Sequence, residues 1–157
     1  MVETGRIRVA KDKADLVKAL TFSDGGTGPF QTFADVIVFA AALGAKHQKR
    51  VPLGEISKRE PSPIPQEQFI VRGYDALINL LAINETEDIN ILSFNENNNS
   101  NIRNCVFEEY ANGGLEILQI ELRGAVDYLE RILLFLCSER FQDNYEGEFD
   151  LSKFMSH

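Results

Sequence analysis

Eight consecutive apolar residues, Val36 to Leu43, restrict the possible folds of this chain more than any other feature of its sequence. Thr32 precedes the run and can cap a helix. Asp35 lies three residues after Thr32, as in a capping box, and Gly44 stands where a helix can end. The run therefore predicts a helix that is apolar on every face. Such a helix must be covered all round, by the rest of the domain or by another copy of the chain.

The remaining patterns predict a mainly α fold, a compact helical domain with one short N-terminal strand. Alternating polar and apolar residues over Gly5–Val9 predict a strand with Arg6 and Arg8 on one face. Apolar spacing predicts four more helices, over Lys11–Thr21, from an opening at Gly73–Asp75 through Ile83, from Asn101 onward with a break at Gly113 and Gly114, and over Ala125–Phe141. The three-four spacing of the last helix predicts that it docks on a core.

The length of 157 residues is that of one domain. Within this single domain we distinguish a basic strand-helix-helix portion (5–50), a proline-rich connector (51–72), an acidic helical body (73–141) and a frayed tail (142–157). The first residues lack the charged and apolar regions of a secretory signal, and the longest apolar run is about half a membrane span. We therefore expect a cytoplasmic protein without a membrane segment.

The sequence offers no recognisable catalytic or metal-binding group. Its two histidines, His47 and His157, have no plausible triad partners, and Cys105 and Cys137 are far apart with no histidine nearby, so we interpret them as reduced core thiols. The Asp24–Gly28 segment lacks the context of a phosphate loop and is interpreted as a flexible turn. We expect no metal, no cofactor and no enzymatic activity.

Two further interpretations concern acidic and proline-rich segments. Glu108 and Glu109 are adjacent on a predicted helix, where their side chains diverge, and we interpret them as part of a solvated helix face. The proline-rich loop could cover a pocket, and an enzyme with an unfamiliar site in that pocket is one functional alternative.

Charge is distributed unevenly along the chain. The net charge is −8, but residues 1–60 carry +3 and residues 61–157 carry −11. A protein that coats nucleic acid all over is therefore excluded, whereas a local basic surface is not.

The order strand, helix, turn, helix over residues 5–44 is that of the ribbon-helix-helix module, in which two chains pair their strands and insert alternate side chains into the major groove of DNA. Arg6 and Arg8 have the required spacing to bind guanine, and the amides near Thr32 are placed to bind a phosphate. Lys11, Lys13, Lys46, Lys49 and Arg50 would contact the DNA backbone. Alternatively, Arg6 and Arg8 only protect a solvated edge strand against aggregation.

Three stretches together resemble a known family: Asp35–Gly44, Gly73–Asn79 and Phe107–Leu118. The chain, from about Arg6 to Leu136, resembles the dnd system-associated protein 4 family, also called DNA phosphorothioation-associated protein 4. The resemblance implies a cytosolic accessory component of a bacterial system that puts sulfur into the DNA backbone or restricts DNA lacking it, usually as an anti-phage defence. It assigns no catalytic residues, and it leaves the roles of Tyr110, Asn112, Gly113 and Gly114 open.

Two hypotheses follow. In the first, the protein is a homo-oligomeric accessory component whose basic N-terminal ribbon binds double-stranded DNA, while its acidic helices contact protein subunits of a modification or restriction complex. In the second, the protein is an adaptor or regulator that binds partner subunits through its acidic surface and does not contact DNA.

Overall fold

The computed structural model describes residues 5–22, 28–93 and 97–155, without the side chains of residues 97 and 142–155. Its helices are α1 (Ala14–Leu20), α2 (Phe33–Lys46), α3 (Glu67–Ile70), α4 (Asp75–Thr86), α5 (Asn97–Glu121) and α6 (Tyr128–Met155). Its strands are β1 (Arg6–Ile7) and β2 (Ile64–Pro65), and short 3-10 turns cover Lys11–Lys13 and Ile89–Leu92. The predicted mainly α fold with a short N-terminal strand is confirmed. The Asp24–Gly28 turn lies largely outside the described residues.

The chain forms two compact units, Met1–Ile120 and Glu121–His157. The first contains both strands, α1 to α4 and nearly all of α5, and the second contains α6. The finer division into a basic portion, a connector, an acidic body and a frayed tail stays a prediction.

The N-terminal segment pairs with the connector of its own chain. β1 is antiparallel to β2, with Arg6 opposite Pro65, and further along the Val9 carbonyl accepts a hydrogen bond of 2.8 Å from the Ser57 amide. The Lys11 amide donates to the Glu55 carbonyl over the same distance. A ribbon-helix-helix module would instead pair β1 with the strand of a second chain.

Helix α2 begins as its sequence predicts but ends later. The Thr32 side chain accepts from the Asp35 amide and the Asp35 carboxylate accepts from the Thr32 amide, which completes the predicted capping box. Gly44 lies inside the helix, and the prediction that it ends α2 is wrong. A Cβ at Gly44 would overlap the Tyr110 carbonyl oxygen, so this glycine lets α2 approach α5 closely.

Helix α5 is continuous across Gly113 and Gly114, and the predicted break there is wrong. A Cβ at Gly114 would overlap the Ala40 carbonyl oxygen, and one at Gly113 would overlap that of Lys49. Two glycines disfavour a helix by roughly 1 kcal/mol each relative to alanine. Here they allow the backbone of α5 to contact the backbone of α2 and of the segment that follows it.

The core of the first unit combines residues from β1, α1, α2 and the later helices. Phe69 of α3 packs edge-on against Phe107 of α5, with ring centroids 5.5 Å apart, and both side chains are fully buried. Other fully buried side chains are Ile7, Val9, Leu20, Ile37, Ile78, Leu115 and Leu118. α2 is mostly covered by its own chain, although Ala42 is exposed.

The side chains of helix α6 are less buried than the sequence pattern predicts. Ile132 and Glu139 are buried, whereas Leu129, Leu133 and Leu136 of the predicted core stripe are 49%, 54% and 39% exposed. The prediction that this stripe docks on a core is therefore wrong for these three leucines. The α6 backbone stays helical to Met155, past the end at Phe141 that the sequence pattern predicts.

Candidate functional site

The residues predicted to bind DNA lie mostly in ion pairs within the first unit. Along residues 6–9, of which Arg6 and Ile7 form β1, the predicted alternation is confirmed, because Arg6 and Arg8 are exposed while Ile7 and Val9 are buried. The Arg6 guanidinium donates a 3.3 Å hydrogen bond to the Pro63 carbonyl, and among the described residues no carboxylate forms an ion pair with it. Arg6 is therefore the cation of this strand that remains most accessible to a ligand.

Arg8 is bound to a buried carboxylate of α5. Its guanidinium donates from Nε to Glu108 Oε2 and from Nη2 to Glu108 Oε1, both at 3.0 Å, and its backbone amide also donates to Oε2. The Glu108 side chain is 2% exposed and that of Arg8 is 50% exposed. These hydrogen bonds, followed by the negative charge of Glu108, raise the pKa of Arg8 above its usual value. The interpretation of Glu108 as part of a solvated helix face is wrong.

Lys11 and Lys13 also have carboxylate partners. Lys11 Nζ lies 3.1 Å from Glu55 Oε1 in an exposed pair, and Lys13 Nζ lies 3.0 Å from Asp12 Oδ2. The Lys13 side chain is only 5% exposed, so its aliphatic part is buried as well. Lys13 is thus placed mainly as a packing residue.

Arg50 joins α4 to α5. Its Nη1 lies 2.9 Å from Glu85 Oε2, and its Nε donates to Glu109 Oε2. Partial burial lowers the pKa of Arg50, but the hydrogen bond and charge of Glu109 and those of Glu85 outweigh it, so the pKa is raised. Lys49 Nζ lies 3.6 Å from Glu116, a looser pair.

Tyr110 adds a hydrogen bond to this cluster. Its hydroxyl donates to Glu85 Oε1. This bond is the main reason that the pKa of Glu85 lies below its usual range, with Arg50 contributing as well. Burial and the same bond raise the pKa of Tyr110. A carboxylate fixed in its charged form by a phenol and a guanidinium is suited to holding two helices together, and no labile proton is left on it for acid catalysis at neutral pH.

The predicted phosphate position at the start of α2 is occupied by a carboxylate of the chain. Besides the capping box, Asp35 Oδ1 accepts from the Tyr74 hydroxyl at 2.6 Å and lies 3.2 Å from Arg72 Nη1. Burial raises the pKa of Asp35, but the bonds from Tyr74 and Thr32 and the charge of Arg72 outweigh it, so the pKa is lowered. A phosphate near Thr32 would meet this negative charge.

One helical stretch of α5 thus holds several segments. Glu108 accepts from Arg8, just after β1, Glu109 accepts from Arg50, and the Asn112 amide donates to the Val51 and Pro52 carbonyls at 3.3 and 3.1 Å. Gly113 and Gly114 allow the close approach of α2 described above. These contacts assign structural roles to residues that the sequence left open.

The carboxylate partners were not found from the sequence. Arg8 and Glu108 are 100 positions apart, and Arg50 and Glu109 are 59 apart, so no local spacing connects them. The charge distribution gives a weak signal of this pairing. Cations are in excess up to residue 60 and carboxylates after it, and ion pairs between the two parts of the chain require such a distribution.

Other candidate chemistry is sparse. A surface depression is lined by Thr32, Glu67, Gln68, Val71 and Arg72, next to the end of the connector, and these residues include no nucleophile paired with a base. In the described part of the chain, no group of three or more His, Cys, Asp or Glu side chains is placed to hold a metal ion. No helix there is long and apolar enough to cross a membrane.

The cysteines are free, as predicted, but only partly buried. Cys105 is intermediate in exposure and Cys137 is exposed, so the interpretation of Cys137 as a core thiol is wrong. Cys137 lies on the outer side of α6, away from the buried Ile132 and Glu139.

Comparison with known proteins gives one finding. A family model described as DNA sulphur modification system-associated protein 4 matches residues 6–154. No curated protein and no solved structure matches the chain.

Proposed function

Because this chain belongs to the DNA sulphur modification system-associated protein 4 family, we propose that it is a non-catalytic accessory protein that acts by binding a protein partner of such a system, not by binding DNA. One observation carries the proposal. Five of the eight residues predicted to bind DNA form ion pairs with carboxylates of their own chain: Arg8, Lys11, Lys13, Lys49 and Arg50.

These pairs oppose binding to a polyanion. A cation gains affinity for DNA by neutralising phosphates and releasing their counterions. Arg8 is already neutralised by Glu108, and moving its guanidinium to a phosphate would leave a carboxylate that is 2% exposed without its charged partner. Uncompensated buried charge is strongly destabilising, so such a transfer would cost stability.

The remaining charge favours a basic protein as partner. The carboxylates of α4 and α5 offset the cations of the first fifty residues, yet the chain as a whole carries −8. Glu87 and Asp88 are exposed after α4, and Asp143, Glu146, Glu148 and Asp150 follow near the end of the sequence. An acidic protein surface steers association with a basic one, such as the DNA-binding surface of an enzyme of the same system.

Co-purification tests the proposal. The tagged full chain is isolated from native cells, with and without nuclease treatment of the extract, and its partners are identified as encoded by the same DNA sulphur modification system. We expect the same partners to be retained in both cases. Loss of all partners after nuclease treatment would show that DNA, and not a protein contact, holds the complex together.

A charge variant with a matched control sharpens this test. Neutralising four C-terminal carboxylates by Asp143→Asn, Glu146→Gln, Glu148→Gln and Asp150→Asn should weaken partner retention at moderate salt. The control is the exposed pair of substitutions Glu55→Gln and Glu60→Gln in the connector, which should leave retention unchanged. Equal partner retention by both variants would show that the C-terminal carboxylates do not contribute to the interface.

DNA binding is a second candidate, supported by the exposure of Arg6 on β1 and of Lys46 at the end of α2. Arg8 is a poor probe of it, because its removal also removes the partner of Glu108. The variant Arg6→Glu avoids that difficulty, because the Arg6 guanidinium donates to a backbone carbonyl and not to a buried carboxylate. If the wild-type chain binds duplex DNA and this variant does not, the second candidate replaces the first.

A further inference from the structure

Helix α6 and the loop before it expose many large apolar side chains. Of the twelve such side chains that are exposed in the described part of the chain, six lie between residues 126 and 141. These six are Val126, Leu129, Leu133, Leu134, Leu136 and Phe141. Single exposed apolar residues are common on soluble proteins, but a concentration of them in one short segment marks a surface that binds another molecule.

The exposed apolar side chains cover more than one side of α6. Successive residues of an α-helix are rotated by about 100° around its axis, so the position of each side chain follows from its number. Measured from the buried Ile132, Leu136 lies about 40° around the helix, Leu133 about 100° and Leu134 about 200°. The other exposed apolar residues of α6 fall between these limits, and we call this arc, about 160° wide, the apolar arc of α6.

The apolar arc fits a groove better than a flat surface. A helix that packs on one flat surface needs an apolar stripe of roughly 100°. The apolar arc is wider than that, and it comes in addition to the buried side of Ile132 and Glu139. Helices that bind in the groove of a partner present apolar residues at spacings of three, four and seven. Leu129, Leu133 and Leu136 have the spacings of four and seven.

The charge of α6 changes along its length. The seven residues from Ile132 to Ser138 include no charged side chain. The helix continues to Met155, and positions 142–155 of the sequence contain four carboxylates and one lysine, a charge of −3. A complementary surface is therefore apolar along the first part of α6 and basic along the second. Helices that lie on membranes instead carry Lys and Arg on their polar face.

We infer that α6 is the element with which this protein binds its protein partner, and that the partner offers an apolar groove with one basic end. This inference rests on the proposed function and adds to it the binding element and the form of the partner surface. The leucines of the apolar arc fill the groove, and the acidic second part of α6 contacts its basic end. Burial of the leucines contributes affinity at any salt concentration, whereas the carboxylates contribute mainly at low salt.

Alanine variants of the full chain test the groove contact, with the purified partner that co-purification identifies. Leu133→Ala and Leu134→Ala should each weaken the dissociation constant at least about tenfold, at low and at high salt. The control is Leu80→Ala on α4, because Leu80 is 61% exposed and Leu133 and Leu134 are 54% and 59% exposed. The control should bind as the wild type does. Equal binding by all three variants overturns the inference.

Alkylation of Cys137 locates the contact on the helix. Cys137 is exposed and lies about 140° from Ile132, inside the apolar arc. In a Cys105→Ser full chain it is the only thiol. N-ethylmaleimide should modify Cys137 at least about tenfold more slowly in the complex than in the free chain, because a close-packed interface excludes the reagent. Leu80→Cys in a chain without Cys105 and Cys137 should react equally in both states.

The outcomes separate this inference from the proposed function. A nuclease-resistant complex in which Cys137 stays as reactive as in the free chain overturns the inference and leaves the proposed function standing. If no protein partner survives nuclease treatment, both fail. Protection of Cys137 in the purified chain alone, together with a dimer in sedimentation equilibrium, would identify a second copy as the occupant and overturn the inference. Protection by phosphatidylcholine vesicles would identify a lipid surface and overturn it too.

Discussion

At Glu108, one buried carboxylate accepts hydrogen bonds from both the backbone and the guanidinium of Arg8. Removing the Glu108 carboxylate would leave the backbone amide of Arg8 without its acceptor and the Arg8 guanidinium without its counter-charge. The Lys11–Glu55 ion pair has nearly the same distance as the Arg8–Glu108 pair, 3.1 Å against 3.0 Å, but both of its side chains are exposed. Comparing variants of these two pairs therefore shows how much burial, at equal distance, contributes to stability.

We predict that Glu108→Ala lowers the free energy of unfolding by about 1–3 kcal/mol, the usual cost of leaving buried donors unsatisfied. Glu55→Ala should change it by less than about 0.5 kcal/mol, as expected for an exposed pair. Urea denaturation at neutral pH measures both. Equal losses for the two variants would contradict a structural role for the Arg8 pair.

The pKa of Glu85 leads to a pH prediction. Because the bond from Tyr110 and the charge of Arg50 lower this pKa in the folded state, Glu85 stabilises the fold at pH values above the pKa of the unfolded chain. That stabilisation is lost as the pH falls through the folded-state pKa. We expect the urea midpoint of the wild-type chain to fall more steeply between pH 6 and pH 3 than that of Glu85→Gln. Parallel pH profiles of the two proteins would show that Glu85, with its partners Tyr110 and Arg50, does not contribute to the pH dependence of stability.

The sequence predicted the exposed positions of Arg6 and Arg8, because alternation along a strand is a local property. It did not predict their chemistry. Whether an arginine meets solvent or a carboxylate depends on which helix packs against the strand, and Glu108 is distant in sequence. Prediction of the DNA-binding residues from charge and spacing therefore found accessible cations such as Arg6 together with structural ones such as Lys13.

At the level of elements, α2 and α5 are held together by closely approaching backbones. Gly44 on α2 and Gly113 and Gly114 on α5 lie at the approach, where added Cβ atoms would overlap carbonyl oxygens of the facing segments. The capping box of α2 was predictable, since it needs only Thr32 and Asp35, three residues apart. A Gly-Gly pair is equally compatible with a helix break and with helix packing, and only the facing helix decides between them.

We predict that Gly114→Ala destabilises the protein by about 1–3 kcal/mol, because its methyl group must displace the Ala40 carbonyl. At an exposed helical position the same substitution would stabilise by roughly 1 kcal/mol. Ala76→Gly on the exposed side of α4 provides the calibration of helix propensity in this protein. Thermal unfolding measures both, and a rise in melting temperature for Gly114→Ala would contradict the close approach of α2 and α5.

For the whole molecule, the uneven charge distribution has a structural explanation. Basic residues of the first fifty positions meet carboxylates of α4 and α5, so the basic portion is largely neutralised within the first unit. The surplus of carboxylates elsewhere leaves an acidic protein, and α6 adds exposed apolar side chains such as Leu134 and Phe141. Both features suit contacts with proteins better than contacts with DNA.

Binding of labelled duplex DNA to the full chain at low salt, followed by fluorescence anisotropy, tests this most directly. When the salt is raised to the physiological concentration, duplexes with and without phosphorothioate linkages should both bind no more tightly than is typical of non-specific binding, with dissociation constants of about 10⁻⁴–10⁻⁶ M or weaker. Arg6→Ala should leave these values unchanged. Nanomolar binding of either duplex that Arg6→Ala abolishes would contradict a partner-binding role and establish β1 as a DNA-binding strand.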